Sequence, residues 1–378
     1  MKKIIVYGLG HTGKYIIDKL KNADSVKVVL CIDNFIELSR INEIKIIKES
    51  QLVYEEYSDC EIIVSLANEC EAAKVTVSLK SKGFNDIYFP EKYMSTAKLP
   101  LLDDGGNLIF LRNHKTINPV LEYVEYQVAD ECNLRCKGCF HFSNLVTKPF
   151  HPKIDDFEKE LKNLSNKFSN VCIFRLMGGE PLLNKELPRF IFLVRKYFPG
   201  SDIRIVTNGI LLPDIADDLV QAMTMYNASF FITQYPPTIK IIDRILNLLH
   251  MTHINYYLEP PTKKFISRMS FGEADYKKVY EESCYSKYCK FLRNGYIYPC
   301  PHVPMLTESK DFFGLSIDDN EMKQCGVDLS DEHVSGWDIL NKFTKANSFC
   351  RFCSLKLGEI KWETGTPQIS DWVVVGDR

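Results

Sequence analysis

The stretch "DECNLRCKGCFHFSN", Asp130–Asn144, holds three cysteines in the spacing C-x3-C-x2-C. It follows a β-forming segment, "EYVEYQVA", and precedes an amphipathic helical pattern, "DDFEKELKNLSNKF". Cys132, Cys136 and Cys139 could bind three corners of an iron–sulfur cube, which would leave one iron open to a ligand from outside the protein. Zinc is the alternative, because a structural zinc site takes four protein ligands and His141 could supply the fourth.

The overall composition is that of an ordinary globular protein, apart from its cysteines. Of 378 residues, 45% are apolar and 25% charged, and the formal net charge of -2 gives no electrostatic reason to expect nucleic acid or a membrane as a partner. The N-terminal apolar run stops at Gly8 without a cleavage signal, so we expect a cytoplasmic chain. Thirteen cysteines in a reducing compartment, most of them clustered, favour metal sites over disulfides.

Strands and helices alternate along most of the chain, which predicts an α/β fold. We interpret residues 1–95 as a small Rossmann-like domain, 96–120 as a linker and 121–270 as a partial (β/α)6 barrel of parallel strands. The alternation then breaks, so we expect a small α+β domain over 271–358 and a C-terminal tail over 359–378. In a parallel βα barrel, the chemistry takes place at the C-terminal ends of the strands.

Polar motifs follow three of the predicted barrel strands. "MGGEP", Met177–Pro181, ends the strand after the cysteine loop. Its glycines allow the backbone to approach a ligand closely, and Glu180 could accept a hydrogen bond from an ammonium group. The motifs "IVTNGIL" and "FITQYPP" end the next two strands, and their polar side chains are Thr207, Asn208, Thr233, Gln234 and Tyr235.

The cysteine spacing and the GGE element together resemble the radical S-adenosylmethionine (radical SAM) enzymes. In that family three cysteines hold a [4Fe–4S] cluster and SAM chelates its open iron. An electron from an external donor such as flavodoxin or ferredoxin cleaves SAM to a 5′-deoxyadenosyl radical, which abstracts a hydrogen atom from the substrate. The resemblance implies that Cys132, Cys136 and Cys139 bind the cluster. The SAM-binding residues that it implies are Gly178, Gly179, Glu180, Thr207, Asn208, Thr233 and Phe140, with His141, Arg175 and Tyr235 on the substrate side.

One position departs from the family pattern. Many members carry an aromatic residue directly before the third cysteine, and its backbone contacts the adenine. Here Gly138 holds that position and Phe140 follows the cysteine. A glycine backbone could make the same contact, although the packing of adenine would differ. The pattern C-K-G-C-x-H-F-S is most similar to a branch associated with bacterial polysaccharide biosynthesis loci.

A second cysteine group lies towards the C-terminus, beginning with "CYSKYCKFLRNGYIYPCP". Asn294-Gly295 predicts a hairpin turn, which would bring Cys289 opposite Cys300. The spacing C-x10-G-x4-C before a distant C-x2-C resembles instead the auxiliary-cluster domain of radical SAM enzymes, in its short twitch form rather than the longer SPASM form, and favours Cys284. The candidates for the four ligand positions of a second [4Fe–4S] cluster are Cys284, Cys289, Cys300, Cys350 and Cys353. Four thiolates around zinc are the alternative.

The N-terminal motif "GLGHTG", Gly8–Gly13, fits G-x-G-x-x-G between a predicted strand and a predicted helix. Asp33 ends the next strand, where the acid of a dinucleotide fold meets a ribose hydroxyl. We therefore predict a ligand site at Gly8, Gly10, Gly13 and Asp33. The region is short and is similar to small Rossmann-like domains of bacterial sugar-modifying enzymes, which implies a nucleotide, a nucleotide-sugar or a docking role rather than NAD chemistry.

These patterns predict a radical SAM oxidoreductase that acts on a small molecule. The second cluster could accept the electron left on the substrate after hydrogen abstraction, which would dehydrogenate a sugar, polyol or nucleotide-linked compound. Modification of a ribosomal peptide is one alternative, because many auxiliary-cluster relatives alter peptides. A zinc-bound scaffold without chemistry is the other.

Overall fold

The computed structural model describes residues 1–91 and 94–374. The chain folds into two compact units that divide after Val120. Within the described residues, no helix combines the length and the apolar character needed to cross a membrane.

The N-terminal unit is a mainly parallel sheet with helices. Its strands are β1 (Lys2–Tyr7), β2 (Val26–Ile32), β3 (Arg40–Ile41), β4 (Ile44–Ile47), β5 (Cys60–Val64), β6 (Ile87–Pro90) and β7 (Leu111–Asn113). Its helices are α1 (His11–Leu20), α2 (Tyr54–Tyr57) and α3 (Glu69–Ser81), with short 3₁₀ helices at Glu49–Gln51 and His114–Thr116. The sheet order is β3-β4-β2-β1-β5-β6-β7, with β1 parallel to β2 and β5. Successive β1 side chains enter separate apolar clusters, because they point to opposite faces.

The segment predicted as a linker, 96–120, folds instead as part of this unit. Leu99, Leu101 and Leu108 pack into one of its two apolar clusters, and β7 pairs antiparallel with β6. The sequence signal for a linker was "DDGGN", which forms a turn in which the Asn107 backbone N–H donates to Asp103 at 2.8 Å. A local turn motif does not reveal that the leucines around it are buried.

The second unit is built on a longer sheet. Its strands are β8 (Val120–Ala129), β9 (Asn170–Gly178), β10 (Asp202–Thr207), β11 (Ala228–Ile232), β12 (Asn255–Leu258), β13 (Lys264–Met269), β14 (Lys290–Arg293), β15 (Tyr296–Tyr298), β16 (Val327–Asp328) and β17 (Cys353–Lys361). The sheet order is β12-β11-β10-β9-β8-β14-β15-β16, and β13 pairs separately with β17. The predicted α/β fold class is confirmed.

Helices pack against both faces of this sheet. They are α4 (Ile154–Ser165), α5 (Leu187–Tyr197), α6 (Asp217–Met225), α7 (Pro236–Ile239), α8 (Ile242–Thr252), α9 (Tyr276–Lys278), α10 (His302–Glu308), α11 (Lys310–Phe313), α12 (Asp319–Cys325) and α13 (Gly336–Lys342). Shorter turns are the 3₁₀ helices Pro181–Leu183, Leu212–Asp214, Ser348–Phe352 and Ile369–Asp371 and the π-helical turn Val279–Ser283. In β8, Val124, Tyr126 and Val128 join the apolar core that α4 and α5 complete. Glu125 and Gln127 alternate with them and therefore point to the opposite, polar face.

The predicted hairpin is confirmed, and it extends the main sheet. Asn294 and Gly295 have positive φ of 51° and 81°, as a two-residue type I′ turn requires. Arg293 pairs with Tyr296 in the predicted register. β14 also pairs in parallel with β8, so the region predicted as a separate domain over 271–358 shares a sheet and a compact unit with the barrel strands.

Arg293 joins this hairpin to the start of the cysteine loop. Its guanidinium donates to both carboxylate oxygens of Asp130 at 2.9 and 2.8 Å, and to both of Glu308 at 2.9 and 2.8 Å. The side chains of Arg293 and Asp130 are each 9% exposed. Bidentate pairs of this kind are strong and geometrically specific, so Arg293 fixes the backbone two residues before Cys132.

Candidate iron–sulfur and cofactor site

The cysteine loop follows β8, and N–H groups surround its thiols. Cys132 Sγ accepts from the Leu134 backbone N–H at 3.4 Å and from the Asn208 side-chain amide at 3.7 Å. Cys136 Sγ accepts from the Trp362 indole N–H at 3.3 Å. Such donors stabilise the thiolate, which is the form in which cysteine binds a metal.

Burial raises the pKa of all three thiols, to about 12 for Cys132 and Cys136. A coordinated metal would reverse this effect, because a coordinating thiol is deprotonated. In the described ranges, no group of three or more His, Cys, Asp or Glu side chains is close enough to hold a single metal ion. Three thiols with N–H donors suit three corners of a cluster.

The GGE element at the end of β9 buries Glu180 completely. The Glu180 carboxylate accepts from the Thr207 hydroxyl at 2.7 Å and from the backbone N–H groups of Asn208 at 2.9 Å and Leu182 at 3.1 Å. Asn208 in turn donates its side-chain amide to Asn133 of the cysteine loop at 2.6 Å. The structure thus brings three of the sequence motifs, the cysteine loop, GGE and TNG, into one hydrogen-bonded group.

Gly178 and Gly179 pack the end of β9 against the cysteine loop. A Cβ atom on Gly178 would lie 1.9 Å from the carbonyl oxygen of Ala129, and one on Gly179 would lie 2.1 Å from that of Glu131. The Gly179 N–H donates to Ala129 at 2.8 Å. The two glycines are therefore required by backbone packing, whatever ligand they also approach.

The C-terminal segment, predicted as a tail over 359–378, contacts the cysteine loop in its described part. The Lys137 N–H donates to the carbonyl oxygen of Glu363 at 2.9 Å, and the Trp372 indole N–H donates to that of Cys139 at 2.8 Å. These contacts were not predicted. The available signal was that two of the three tryptophans in the chain lie in this short segment.

This contact explains the glycine before the third cysteine. Gly138 has a φ of 65°, and a Cβ atom there would lie 2.5 Å from Ile360 Cδ1 and 2.7 Å from the carbonyl oxygen of Asp371. The aromatic residue that many family members carry at this position has no room. The departure from the family pattern therefore follows from the packing of the C-terminal segment.

Gly138→Ala should destabilise the protein more than Gly314→Ala. Gly314 has the same φ of 65°, but within the described structure no atom lies within 4 Å of an added Cβ. Gly314→Ala therefore measures only the cost of a left-handed backbone, about 1–2 kcal/mol. Gly138→Ala adds a steric clash of about 1–3 kcal/mol. Thermal unfolding measures both, and equal losses of stability would contradict the contact between the C-terminal segment and the loop.

Four cysteines of the second group surround one cavity, whose lining includes Cys284, Cys300, Cys350 and Cys353. Burial raises the pKa of Cys300 well above its usual range, and the other three thiols raise it further. Cys289 is absent from the described residues that line this cavity. Burial raises the pKa of Cys289 to about 12, and the charges that act on it most are those of Glu125 and Arg175.

Phe140, predicted beside the cofactor, lies against this second cavity. Its ring centroid is 4.1 Å from that of His302, and the Arg268 guanidinium lies 5.4 Å from the Phe140 ring. The His302 Nδ1 atom is 3.7 Å from Cys353 Sγ. The residue after Cys139 thus connects the first cysteine group to the second through His302.

The other predicted barrel residues fall into two places. The Tyr235 ring stacks on Trp362, with centroids 5.6 Å apart, and lies near the three thiols of the loop. The Thr233 hydroxyl donates to Glu259 at 3.4 Å. Arg175 lies on the polar face of the sheet, over the Tyr123 ring beside Glu125, and His141 lies near Phe291, which pairs with Glu125.

The glycine motif of the N-terminal unit forms a tight strand-to-helix turn. Gly8 has a φ of 92°, and a Cβ atom on Gly13 would lie 1.9 Å from the Gly8 carbonyl oxygen. An added Cβ on Gly10 would meet no described atom within 4 Å. Burial raises the pKa of Asp33, but the backbone N–H donors to its carboxylate have a larger combined effect, so the pKa is lowered overall. Those donors, at 2.9–3.1 Å, are Leu9, Phe35 and Ile36. Asp33 therefore holds the turn itself.

Comparison with known proteins gives two family matches. Residues 126–267 match the model of the radical SAM superfamily, and residues 1–80 match a model described as "C2185-like, N-terminal". GTP 3′,8-cyclase of Clostridium acetobutylicum is 30% identical, over 43% of this chain and 60% of that protein. GTP 3′,8-cyclase of Clostridium botulinum is 35% identical, over 27% of this chain and 32% of that protein. The chain thus spans from about a third to 60% of these curated relatives.

Solved structures give weaker matches. The structure of BtrN in complex with AdoMet and 2-DOIA has a TM-score of 0.38 at 17% identity, covering 63% of this chain and 94% of that chain. The structure of anSMEcpe with bound AdoMet has a TM-score of 0.31 at 20% identity, covering 37% of this chain and 43% of that chain. Residues 126–267, which hold the cysteine loop and the GGE element, are therefore similar to the radical SAM superfamily.

Proposed function

We propose that this protein is a radical SAM enzyme that abstracts a hydrogen atom from a sugar, polyol or nucleotide-linked small molecule and oxidises it. The observation that carries the proposal is the hydrogen-bonded group of Glu180, Asn208 and the cysteine loop. A carboxylate that is fully buried, as Glu180 is, costs free energy unless it serves a function, and here it lies beside a loop of three cysteines.

The roles of the residues follow from this group. Cys132, Cys136 and Cys139 would hold a [4Fe–4S] cluster, and Glu180 would accept hydrogen bonds from the ammonium group of SAM, with Asn208 beside it. Further candidates for contact with SAM are Gly178, Gly179, Thr207 and Thr233. When bound and reduced by an external donor such as flavodoxin or ferredoxin, the cluster supplies the electron that cleaves SAM.

Oxidation of an alcohol needs a second electron acceptor. Loss of a hydrogen atom from carbon leaves a radical, and loss of the hydroxyl proton and one further electron then completes the carbonyl. The thiols of Cys284, Cys300, Cys350 and Cys353 are the proposed ligands of an auxiliary [4Fe–4S] cluster that takes this electron. The contact of Phe140 with His302 between the two cysteine groups supports this arrangement. We propose the cytoplasm as the compartment, because its reducing conditions suit thiolate ligands.

The affinity for SAM should depend on pH through Glu180. Burial raises the pKa of Glu180 to about 7, although its hydrogen-bond donors lower it. Only the ionised carboxylate attracts an ammonium group, so the affinity should fall by up to about tenfold for each pH unit below about 7. Equilibrium binding of SAM to the anaerobically reconstituted protein measures this. Glu180→Gln should bind SAM weakly at every pH, and a constant affinity in the wild-type protein would contradict the assignment.

Anaerobic purification and a labelled substrate test the function as a whole. Two clusters should give a brown protein with about eight irons per chain, whereas stoichiometric zinc in a colourless protein would leave only the scaffold alternative. With SAM and dithionite, deuterium from a labelled sugar or polyol should appear in 5′-deoxyadenosine. Transfer of deuterium only from a ribosomal peptide would replace this proposal with the peptide-modifying alternative.

A further inference from the structure

We infer that the polar face of β8 and β9 is a substrate pocket and that it binds a hydroxylated small molecule with one anionic group. The inference rests on the proposed function for the identity of the neighbouring SAM site. It adds the residues that select the substrate and the chemical class that they select.

Several polar atoms without a partner lie on the polar face of β8. Glu125 is 5% exposed and Gln127 is 2% exposed. The Tyr123 hydroxyl donates to one carboxylate oxygen of Glu125. In the described part of the chain, the other oxygen of Glu125 and both amide atoms of Gln127 have no hydrogen-bond partner. Buried polar atoms are nearly always paired, so three unpaired atoms on one strand indicate a site that a polar ligand completes.

Arg175 on β9 adds a positive charge to the same face. Its guanidinium lies 5.2 Å from the centre of the Tyr123 ring and 4.5 Å from that of the Phe231 ring. Among the described residues, no carboxylate forms an ion pair with Arg175, and its Nε atom is buried without a partner. His141 Nδ1 is buried without a partner as well, and its ring lies 6.4 Å from that of Phe291, the residue that pairs with Glu125. These groups therefore face one shared space.

Gln127 connects this space to the proposed SAM site. A Cβ atom on Gly178 would lie 2.9 Å from Gln127 Cγ, and Gly178 leads directly into Glu180 through one residue. Glu125 lies two residues earlier on the same strand, roughly 7 Å further from that end. A molecule held by Glu125 and Arg175 would therefore reach the cofactor end of the sheet.

The donors and acceptors determine the class of ligand. An arginine without an ion pair favours a carboxylate or phosphate, and the carboxylate of Glu125 and the amide of Gln127 favour hydroxyl groups. An apolar ligand would leave all of them unpaired. Arg204 shows the contrast, because it stands on neighbouring β10 but pairs with Asp202 at 2.6 Å. Of these two neighbouring arginines, Arg175 is therefore the one whose charge is available to a ligand.

Binding of D-glucuronate and D-glucose tests the inference, because the two probes differ in one anionic group. We would titrate the full-length, anaerobically reconstituted protein with each probe in the presence of SAM and without reductant. We expect glucuronate to bind at least about tenfold more tightly than glucose. Arg175→Gln should abolish this preference and Arg175→Lys should keep part of it. Arg204→Gln, the matched control, should keep it fully, and Glu125→Gln should weaken both probes.

Three results would overturn the inference: no binding of either probe, equal binding of the two, or an unchanged preference in Arg175→Gln. Thermal unfolding of each variant shows whether the substitution has simply prevented folding, and the lysine variant retains the charge if the glutamine variant does not fold. Because no radical forms without reductant, these results are independent of the proposed function. That function fails separately if the protein releases no 5′-deoxyadenosine when SAM and dithionite are added.

Discussion

Cys136→Ala/Cys139→Ala should reduce the release of 5′-deoxyadenosine under dithionite to background while the second iron site survives. Cys132 alone cannot hold a cube, since full ligation takes three thiolates here and the fourth corner belongs to SAM. The iron content should fall from about eight to about four atoms per chain. Iron analysis and electron paramagnetic resonance of the anaerobic protein measure the remaining cluster, and chromatography measures the nucleoside.

Cys325→Ala is the control for this double substitution. Cys325 is buried in an apolar cluster with Tyr298 and Ile317 and is not among the described residues that line the second cavity. Its substitution should leave both iron sites and the release of 5′-deoxyadenosine unchanged, with a loss of stability of about 1 kcal/mol. Undiminished release in the double variant would show that the loop does not hold the catalytic cluster, and the proposed function would lose its basis.

Local signals in the sequence predict the fold well, and contacts between distant segments escape them. Asn294-Gly295 predicts its hairpin because a type I′ turn needs two residues with positive φ, and the structure has both. The parallel pairing of β14 with β8 joins residues that are far apart in sequence. A strand carries no mark of its partner when several strands are equally apolar, so the predicted boundary at residue 270 does not separate compact units.

The same distinction applies to the candidate site. Glu180, Thr207 and Asn208 could be predicted because short motifs at the ends of parallel strands must meet at one edge. Trp362 could not, because an indole N–H that reaches a thiol across the fold follows no motif. The sequence does carry a signal for Glu125, because polar residues alternate along β8, although a central strand of a parallel sheet is usually apolar on both faces.

Which four of the five candidate cysteines bind the auxiliary cluster also depends on three-dimensional contacts. Substitution of these ligands should have a large effect on the iron content. We expect single alanine substitutions at any of four positions to remove the auxiliary cluster, whereas Cys289→Ala should retain it. The four positions are Cys284, Cys300, Cys350 and Cys353, which line one cavity. Measured in the Cys136→Ala/Cys139→Ala background, each loss should take the iron content from about four atoms per chain to nearly none.

Cys289→Ala is a demanding control because this thiol lies between Cys284 and Cys300 in sequence and is partly buried, as they are. Burial raises the pKa of Cys289 to about 12, as it does for Cys353, so thiol burial alone does not distinguish a ligand from a bystander. The neighbouring charges distinguish the two thiols. Those of Glu125 and Arg175 affect the pKa of Cys289 most, whereas those of other cysteines affect the pKa of Cys353 most. If Cys289→Ala lost its iron and Cys284→Ala kept it, Cys289 would be a cluster ligand, as the hairpin pairing with Cys300 predicts. The assignment of the ligands from the cavity lining would then be wrong.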